Sequence, residues 1–177
     1  MNRYLKAFLK TGIPFGIGSG VFYSFQFGLT RGAIVGIVGG LFFGVAMSAI
    51  LVTWHQRAVK RLAPGASEAE MGVHHTRQVQ VQRRYDEAFG LAVSSLQSVG
   101  KYKLRKEDKS SGQVEAKVSM SWKSFGEIIS FNVRRIDDFR TQIEVSSRPS
   151  LGTTFADYGK NLENVEKISN FLNKQTA

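Results

Sequence analysis

Glycine recurs at every fourth position along the stretch Gly32-Ala-Ile-Val-Gly-Ile-Val-Gly-Gly-Leu-Phe-Phe-Gly44. In water, a glycine inside an α-helix costs about 1 kcal/mol relative to alanine. Four glycines on one helical face therefore need a compensating environment. In a lipid bilayer, close packing brings helices together, and small residues let two backbones approach. The stretch predicts a membrane-spanning helix with one bare face.

Two long runs without charge flank Arg31, one from Thr11 to Thr30 and the other from Gly32 to Gln56. About 20 apolar residues are enough to cross the hydrocarbon core as a helix. We therefore expect spans at about 11–30 and 32–54, joined as an antiparallel hairpin within residues 1–62. A cleaved signal peptide is the alternative for the first run, but a small-x-small cleavage site is missing and a second span follows at once.

The first run repeats the glycine spacing of the second, so each helix has a face of small residues. The positions are Gly12, Gly16 and Gly20 in the first run and Gly32, Gly36, Gly40 and Gly44 in the second. Either the two faces close the hairpin, or at least one packs against another copy and makes a homo-oligomer. The pattern resembles the glycine-zipper hairpins of many bacterial membrane proteins, a resemblance that implies packing and no activity.

Basic residues flank the predicted spans. Arg3, Lys6 and Lys10 precede the first span, and Arg57, Lys60 and Arg61 follow the second. Because only Arg31 lies between the spans, the positive-inside rule places both termini in the cytoplasm. These residues also suit the anionic head groups of a membrane surface. We expect a multi-pass protein of the bacterial inner (cytoplasmic) membrane.

The composition changes after residue 56. Residues 57–177 hold all 14 acidic residues and 20 of the 24 lysines and arginines, which gives this part a net charge of +6 within a total of +10. A segment this polar is typical of a water-soluble domain. Residues 63–75 are predicted to be a linker and residues 76–177 a cytosolic α+β domain.

Hydrophobic periodicity in residues 76–177 predicts the element order β-α-β-β-β-β-α. One antiparallel sheet with both helices against one face would bury the apolar positions, in a helix-grip layout. The predicted strands are 76–82, 101–105, 114–122, 128–133 and 141–146, and the predicted helices are about 86–98 and 154–173.

The end of the last strand reads Ser146-Ser147-Arg148, and Asp157-x-Gly159-x-Asn161 follows at the start of the final helix. This combination resembles the C-terminal end of uncharacterised bacterial domain families. The resemblance implies architecture and supplies no chemistry. We take Arg148, Asp157 and Asn161 as candidates for ligand binding or helix capping, with Asp157 as an N-cap or a partner of Arg148.

Motifs with known chemistry are sparse. The chain has no cysteine, hence no disulfide and no thiolate ligand or nucleophile. His74 and His75 would point to opposite sides of a strand, which suits no single metal ion. The pair Asp137-Asp138 fits a hairpin turn, where aspartate is favoured. We expect neither an enzyme active site nor a metal or a cofactor.

Three functions fit these features. The first is a non-enzymatic, membrane-anchored scaffold or binding protein that oligomerises and presents a basic domain to a protein or lipid partner. The alternatives are a small oligomeric channel or transport component, and a lipid-binding helix-grip domain. Nucleic acid is not favoured, because acidic residues are interspersed among the basic ones and the sequence has no nucleic-acid-binding signature.

Overall fold

The structure, a computed structural model, describes residues 2–67, 69–121 and 124–175. The chain divides into two compact units, one ending at Ala58 and the other beginning at Val59. Each unit is described by itself.

The first unit is built from two helices, α1 (Arg3–Phe27) and most of α2 (Leu29–Leu62). Only Gly28 separates them, and its φ of 85° lies in the left-handed region that glycine adopts without strain. The Gly28 N–H bonds to the Ser24 carbonyl at 3.0 Å, which satisfies one carbonyl at the end of α1. The chain therefore reverses direction within a single residue.

The glycine faces of α1 and α2 meet each other. A methyl group placed on Gly12 would lie 2.7 Å from the carbonyl oxygen of Gly40, and one on Gly16 would lie 2.8 Å from that of Gly36. On α2, a methyl group on Gly36 would lie 2.9 Å from the Cα of Gly20. Contacts this short leave no room for any side chain. The glycine pattern is thus accounted for within one chain and requires no second copy.

Large apolar side chains cover the outside of the helix pair. Phe25 is 88% exposed and Phe42 is 77% exposed. Among the described residues, one helix is long and apolar enough to cross a membrane, namely α2, whose most apolar window has a mean hydropathy of 2.4. The helix α1 does not reach a comparable mean hydropathy, because its glycines, Pro14 and Gln26 lower the value. Length and composition therefore support one of the two membrane helices that the uncharged runs predict.

The second unit is an α+β domain with the predicted element order. Short 3₁₀ helices occupy Ala69–Met71 and Leu96–Val99. The main elements are β1 (His75–Val81), α3 (Tyr85–Ser95), β2 (Tyr102–Asp108), β3 (Gln113–Val118), β4 (Glu127–Arg135), β5 (Thr141–Pro149) and α4 (Lys160–Lys174).

The five strands form one antiparallel sheet in the order β1-β5-β4-β3-β2. Alternate residues of each strand point towards the helices, as Ile129, Phe131 and Val133 do on β4. The helix α4 lies against this face through an apolar stripe that includes Leu162 and Ile168, both fully buried. The predicted α+β class and the helix-grip layout are confirmed.

Two predicted elements have bounds that differ clearly from the observed ones. The strand predicted to reach Trp122 stops at Val118, because Ser121 and Ser124 pair with each other across a tight loop. Met120 falls within the predicted strand in phase with the buried Val114 and Val118 but is exposed, and Trp122 lies outside the described residues. The last helix begins at Lys160 instead of Thr154, since Tyr158 and Gly159 have φ values of 51° and 75° that no right-handed helix accommodates.

Residues 63–75, predicted to be a linker, are partly integrated into the domain. Met71 is buried in the hydrophobic core, together with Val59 from the last turns of α2. Ser67 and Glu70 cap the short 3₁₀ helix, with the Ser67 N–H donating to the Glu70 carboxylate at 3.0 Å. Glu70 also pairs with Arg77 of β1 at 3.2 Å. These contacts make Ser67, Glu70 and Met71 part of the domain, which free linker residues would not be.

Candidate functional site

Polar side chains collect at one end of the buried space between α4 and the sheet. We call this cluster the polar end; its members are Glu127, Ser147, Asp157, Asn161 and Asn164, all buried. Glu127 is the first residue of β4 and Ser147 lies near the end of β5, both on the face that packs against α4. Because buried polar groups need hydrogen-bond partners, such a cluster has to be organised as a network.

Asp157 organises the start of α4. Its carboxylate accepts hydrogen bonds from the Gly159 N–H at 3.2 Å and from the Asn161 N–H at 2.8 Å. The same carboxylate accepts from the Asn161 side-chain amide at 2.6 Å. Three donors at the first turn of the helix are thereby satisfied, as a helix N-terminus requires.

A hydrogen-bonded chain continues from Asn161 into the sheet. The Ser147 hydroxyl donates to Asn161 Oδ1 at 2.7 Å, and it accepts from the Asn164 amide at 3.3 Å. Two positions on one face of α4 are thus tied to β5. The network fixes the first turn of α4 over the end of the sheet.

Glu127 is the least satisfied member of the polar end. The Ser124 hydroxyl donates to its Oε1, whereas Glu127 Oε2 and Asn164 Oδ1 have no hydrogen-bond partner among the described residues. Burial raises the pKa of the Glu127 carboxyl above its ordinary 4.5, and the bond from Ser124 and the charge of Lys160 oppose that rise. The Asn164 amide also contacts this carboxyl.

The three predicted candidates separate in the structure. Asp157 and Asn161 are in direct contact at the polar end. Arg148 is exposed and lies opposite Ile128, on the sheet face that points away from α4, and no ion pair joins it to Asp157 in the described part of the chain. The sequence reading missed Glu127 and Asn164. The positions of these two residues in the hydrophobic repeats could have revealed them. Glu127 lies on the same inward-facing side of β4 as Ile129, and Asn164 lies within the apolar stripe of α4.

The other candidates take structural positions. His75 is buried, with Nε2 3.0 Å from the Gly72 carbonyl oxygen, and His74 is exposed. Asp137 accepts hydrogen bonds from the backbone N–H groups of Phe139 and Arg140 in the β4–β5 turn, at 2.9 and 2.8 Å. In the described residues, no group of three or more histidine, aspartate or glutamate side chains is arranged to hold a metal ion.

An open pocket of about 750 Å³ lies where the end of β1, the start of α3 and the β4–β5 turn meet. Its arginines face carboxylates, since Arg83 lies 4.0 Å from Glu87 and Arg140 lies 2.6 Å from Asp137. The charges are therefore compensated locally. The pocket offers no concentrated charge for an anionic ligand.

The basic residues predicted at the membrane surface lie at the outer ends of the two long helices. Arg3, Lys6 and Lys10 occupy the first turns of α1, and Arg57, Lys60 and Arg61 occupy the last turns of α2. All are exposed except Arg3, which is half-buried. Like charges therefore lie at the same open end of the hairpin, opposite Gly28.

Comparison with protein-family models and with curated proteins gives no match. Several solved structures resemble the chain. Zhui aromatase/cyclase from Streptomyces sp. R1128 is 10% identical, with a TM-score of 0.43, over 59% of this chain and 93% of that protein. A protein from Thermobifida fusca, solved by NMR, is 10% identical, with a TM-score of 0.40, over 56% and 85% of the two chains.

The di-domain ARO/CYC StfQ of the steffimycin biosynthetic pathway also resembles the chain. It is 10% identical, with a TM-score of 0.32, over 77% of this chain and 59% of StfQ. Identities and TM-scores this low assign neither an activity nor a ligand to this chain.

Proposed function

We propose that this chain is a non-enzymatic, membrane-anchored binding protein. Its helix pair crosses the bilayer twice and holds the basic α+β domain at the cytoplasmic face. The observation that carries the proposal is the inverted arrangement of the hairpin, with bare backbone inside and large apolar side chains such as Phe25 and Phe42 outside. Each Å² of apolar surface left in water costs about 25 cal/mol, so this outer surface calls for lipid.

Charge supports the topology. The cations of the two helices lie at the open end of the hairpin, and the turn at Gly28 has only Arg31 nearby. Trp54 is exposed near the basic end of α2, where aromatic side chains mark a membrane interface. The open end of the hairpin therefore faces the cytoplasm.

A channel would need a polar lining, and the hairpin supplies little. The Ser24 hydroxyl donates to the Gly20 carbonyl at 2.8 Å, and the Ser48 hydroxyl donates to the Val45 carbonyl at 2.9 Å. Both hydroxyls are turned back onto their own helices. A binding protein fits these side chains better than a pore.

Cysteine accessibility in intact cells tests the topology, because the chain has no cysteine of its own. We expect Thr30→Cys, beside the turn, to react with a membrane-impermeant maleimide from outside. Ser110→Cys, in the β2–β3 turn, should react only after the membrane is opened. Labelling of both positions from outside, or recovery of the unlabelled chain in the soluble fraction, contradicts the proposal.

Binding of a lipid or another small ligand by the α+β domain is the second candidate function. The observation that favours it is the pair of unpartnered acceptors at the polar end, Glu127 Oε2 and Asn164 Oδ1, which a ligand with a hydrogen-bond donor would satisfy. The rest of the space under α4 is filled by side chains such as Ile143 and Leu162. A ligand would therefore bind near the start of α4.

Mass spectrometry of small molecules that co-purify with the full chain tests this second function. We expect a ligand that is lost from Glu127→Ala and retained by Glu107→Ala, an exposed carboxylate on β2 that serves as the matched control. Equal retention by the two variants, or no ligand in the wild-type chain, removes the second candidate and leaves the anchor untouched.

A further inference from the structure

Among the described residues, three large apolar side chains are exposed on the loops at one end of the α+β domain. We call them the loop patch: Met120 and Phe125 lie on the β3–β4 loop, and Leu151 lies on the β5–α4 loop. Phe125 is 67% exposed. Exposed apolar groups that are grouped together mark interaction sites more often than single ones do.

The two loops are bonded to each other. The Ser150 hydroxyl donates to the Phe125 carbonyl at 2.8 Å, and the Ser150 N–H donates to the Gly126 carbonyl at 2.9 Å. Gly126 has a φ of 89°, and a methyl group there would lie 2.7 Å from the Val118 carbonyl oxygen. The backbone that presents Phe125 and Leu151 is therefore fixed, which lowers the entropy cost of docking them.

The charge around the loop patch is positive. Lys101 is exposed at the start of β2, where its carbonyl accepts from the Ser119 N–H at 2.9 Å, and Arg148 is exposed near the end of β5. The loops that carry the patch and the residues beside Lys101, which in the described part of the chain are 100–101, 119–121, 124–126 and 148–156, contain no acidic residue. The carboxylates that directly follow these segments in the sequence, Glu127 and Asp157, are buried.

The opposite end of the domain has exposed side chains of both charges. Its turns and the start of α3 hold exposed or half-buried carboxylates beside exposed cations such as Arg83, Lys109 and Arg140, which form ion pairs with three of them. The carboxylates are Asp86, Glu87, Glu107, Asp108, Asp137 and Asp138. An anionic surface would meet charges of both signs there, whereas beside the loop patch it would meet the exposed cations Lys101 and Arg148.

We infer that the loop patch is a membrane-contact surface, in which Met120, Phe125 and Leu151 enter the interface of an anionic bilayer while Lys101 and Arg148 pair with lipid phosphates. Apolar side chains that insert among head groups, with cations beside them, are the combination that binds peripheral surfaces to anionic lipid. The inference rests on the proposed membrane anchor. It adds a second contact that orients the domain on the bilayer.

Single cysteines labelled with an environment-sensitive fluorophore test the inference in the full chain. The chain is reconstituted into vesicles of phosphatidylcholine and phosphatidylglycerol, with and without bromine on the acyl chains. Phe125→Cys reports on the loop patch. Phe139→Cys is the matched control, since this phenylalanine is 71% exposed at the opposite end of the domain. Phe42→Cys reports on the hairpin.

We expect the label at position 125 to be quenched by brominated lipid several-fold more than the label at position 139. Changing Lys101 and Arg148 together to glutamate should reduce that quenching in vesicles with phosphatidylglycerol. Quenching at position 42 without quenching at position 125 overturns the inference and leaves the anchor standing. A blue shift at position 125 without quenching indicates a protein contact and also overturns it. Absence of quenching at position 42 removes the anchor as well.

Discussion

In the hairpin, backbone lies against backbone at the glycine positions and the largest side chains point outward. In the α+β domain, the largest side chains fill the space between α4 and the sheet. Water drives apolar side chains inward, whereas lipid provides no such force and leaves close packing to bring helices together. Under the proposed function, one chain contains two solutions to the same packing problem, each suited to its own solvent.

The largest expected difference concerns large side chains. Ile129→Ala empties a fully buried position on β4 and should lower the free energy of unfolding of the domain by about 2–5 kcal/mol. Phe42→Ala removes a larger side chain from the outside of α2 and should change stability by only about 0.5 kcal/mol. Hydrogen exchange of the full chain in detergent measures both, resolved by element. Equal losses would show that the hairpin also depends on side-chain burial.

In the hairpin, adding a small side chain at a glycine should lower stability more than removing a large outer side chain does. Gly16→Ala places a methyl group 2.8 Å from the Gly36 carbonyl oxygen, so the helices have to separate, at a cost of about 1–3 kcal/mol. Gly18→Ala, two residues along α1, meets nothing within 4 Å and should be neutral or stabilising, because alanine favours a helix.

Spin labels on cysteines introduced at the outward positions Ile17 and Ile37 measure the distance between the two helices. The distance should lengthen or broaden in Gly16→Ala and stay unchanged in Gly18→Ala. A hairpin that tolerates both changes equally would not be held by backbone contact.

Local patterns predicted much of this fold. Alternation along Ile129, Phe131 and Val133 predicted a strand with one buried face, and the apolar spacing of Leu162, Val165 and Ile168 predicted the final helix. The strand order could not be read in the same way. The pairing of β1 with β5 joins residues far apart in the sequence, and no local pattern encodes it.

The sequence predicted only part of the polar end, for a related reason. Asp157 and Asn161 were candidates because of their place before a helix, where such residues are common. Glu127 was overlooked, since a charged residue at the start of a strand is ordinarily exposed. Its burial depends on α4, which reaches this position through the capped turn at Asp157 and the left-handed residues Tyr158 and Gly159. The sequence of neither segment alone predicts a tertiary contact of this kind.

Glu127 gives a pH-dependent test of the domain. Because burial raises its folded pKa above the ordinary 4.5, the folded state holds a proton that the unfolded state has lost, and stability should fall as pH rises from about 4.5 through the folded pKa. Glu127→Gln should remove this fall and become the more stable protein at neutral pH, since a neutral amide avoids the cost of burying a charged carboxylate. Unfolding titrations across pH, with Glu107→Gln as control, measure the difference. Parallel pH profiles for wild type and Glu127→Gln would contradict a buried, proton-holding carboxyl.

Asp108 at the β2–β3 turn should have the smallest effect and the opposite sign. Hydrogen bonds from Ser110, at 2.6 Å from its hydroxyl, and from Ser111 lower the pKa of this exposed carboxyl from 3.8 to about 2. Its contribution to stability is therefore complete above pH 3.8 and is lost as pH falls towards 2. Solvent screens an exposed group, so Asp108→Asn should change stability slightly and only above that range. NMR titration of the side chain checks the pKa directly. An ordinary pKa at Asp108 would mean that the turn does not hold its carboxylate, and that the contrast with buried Glu127 owes nothing to hydrogen bonding.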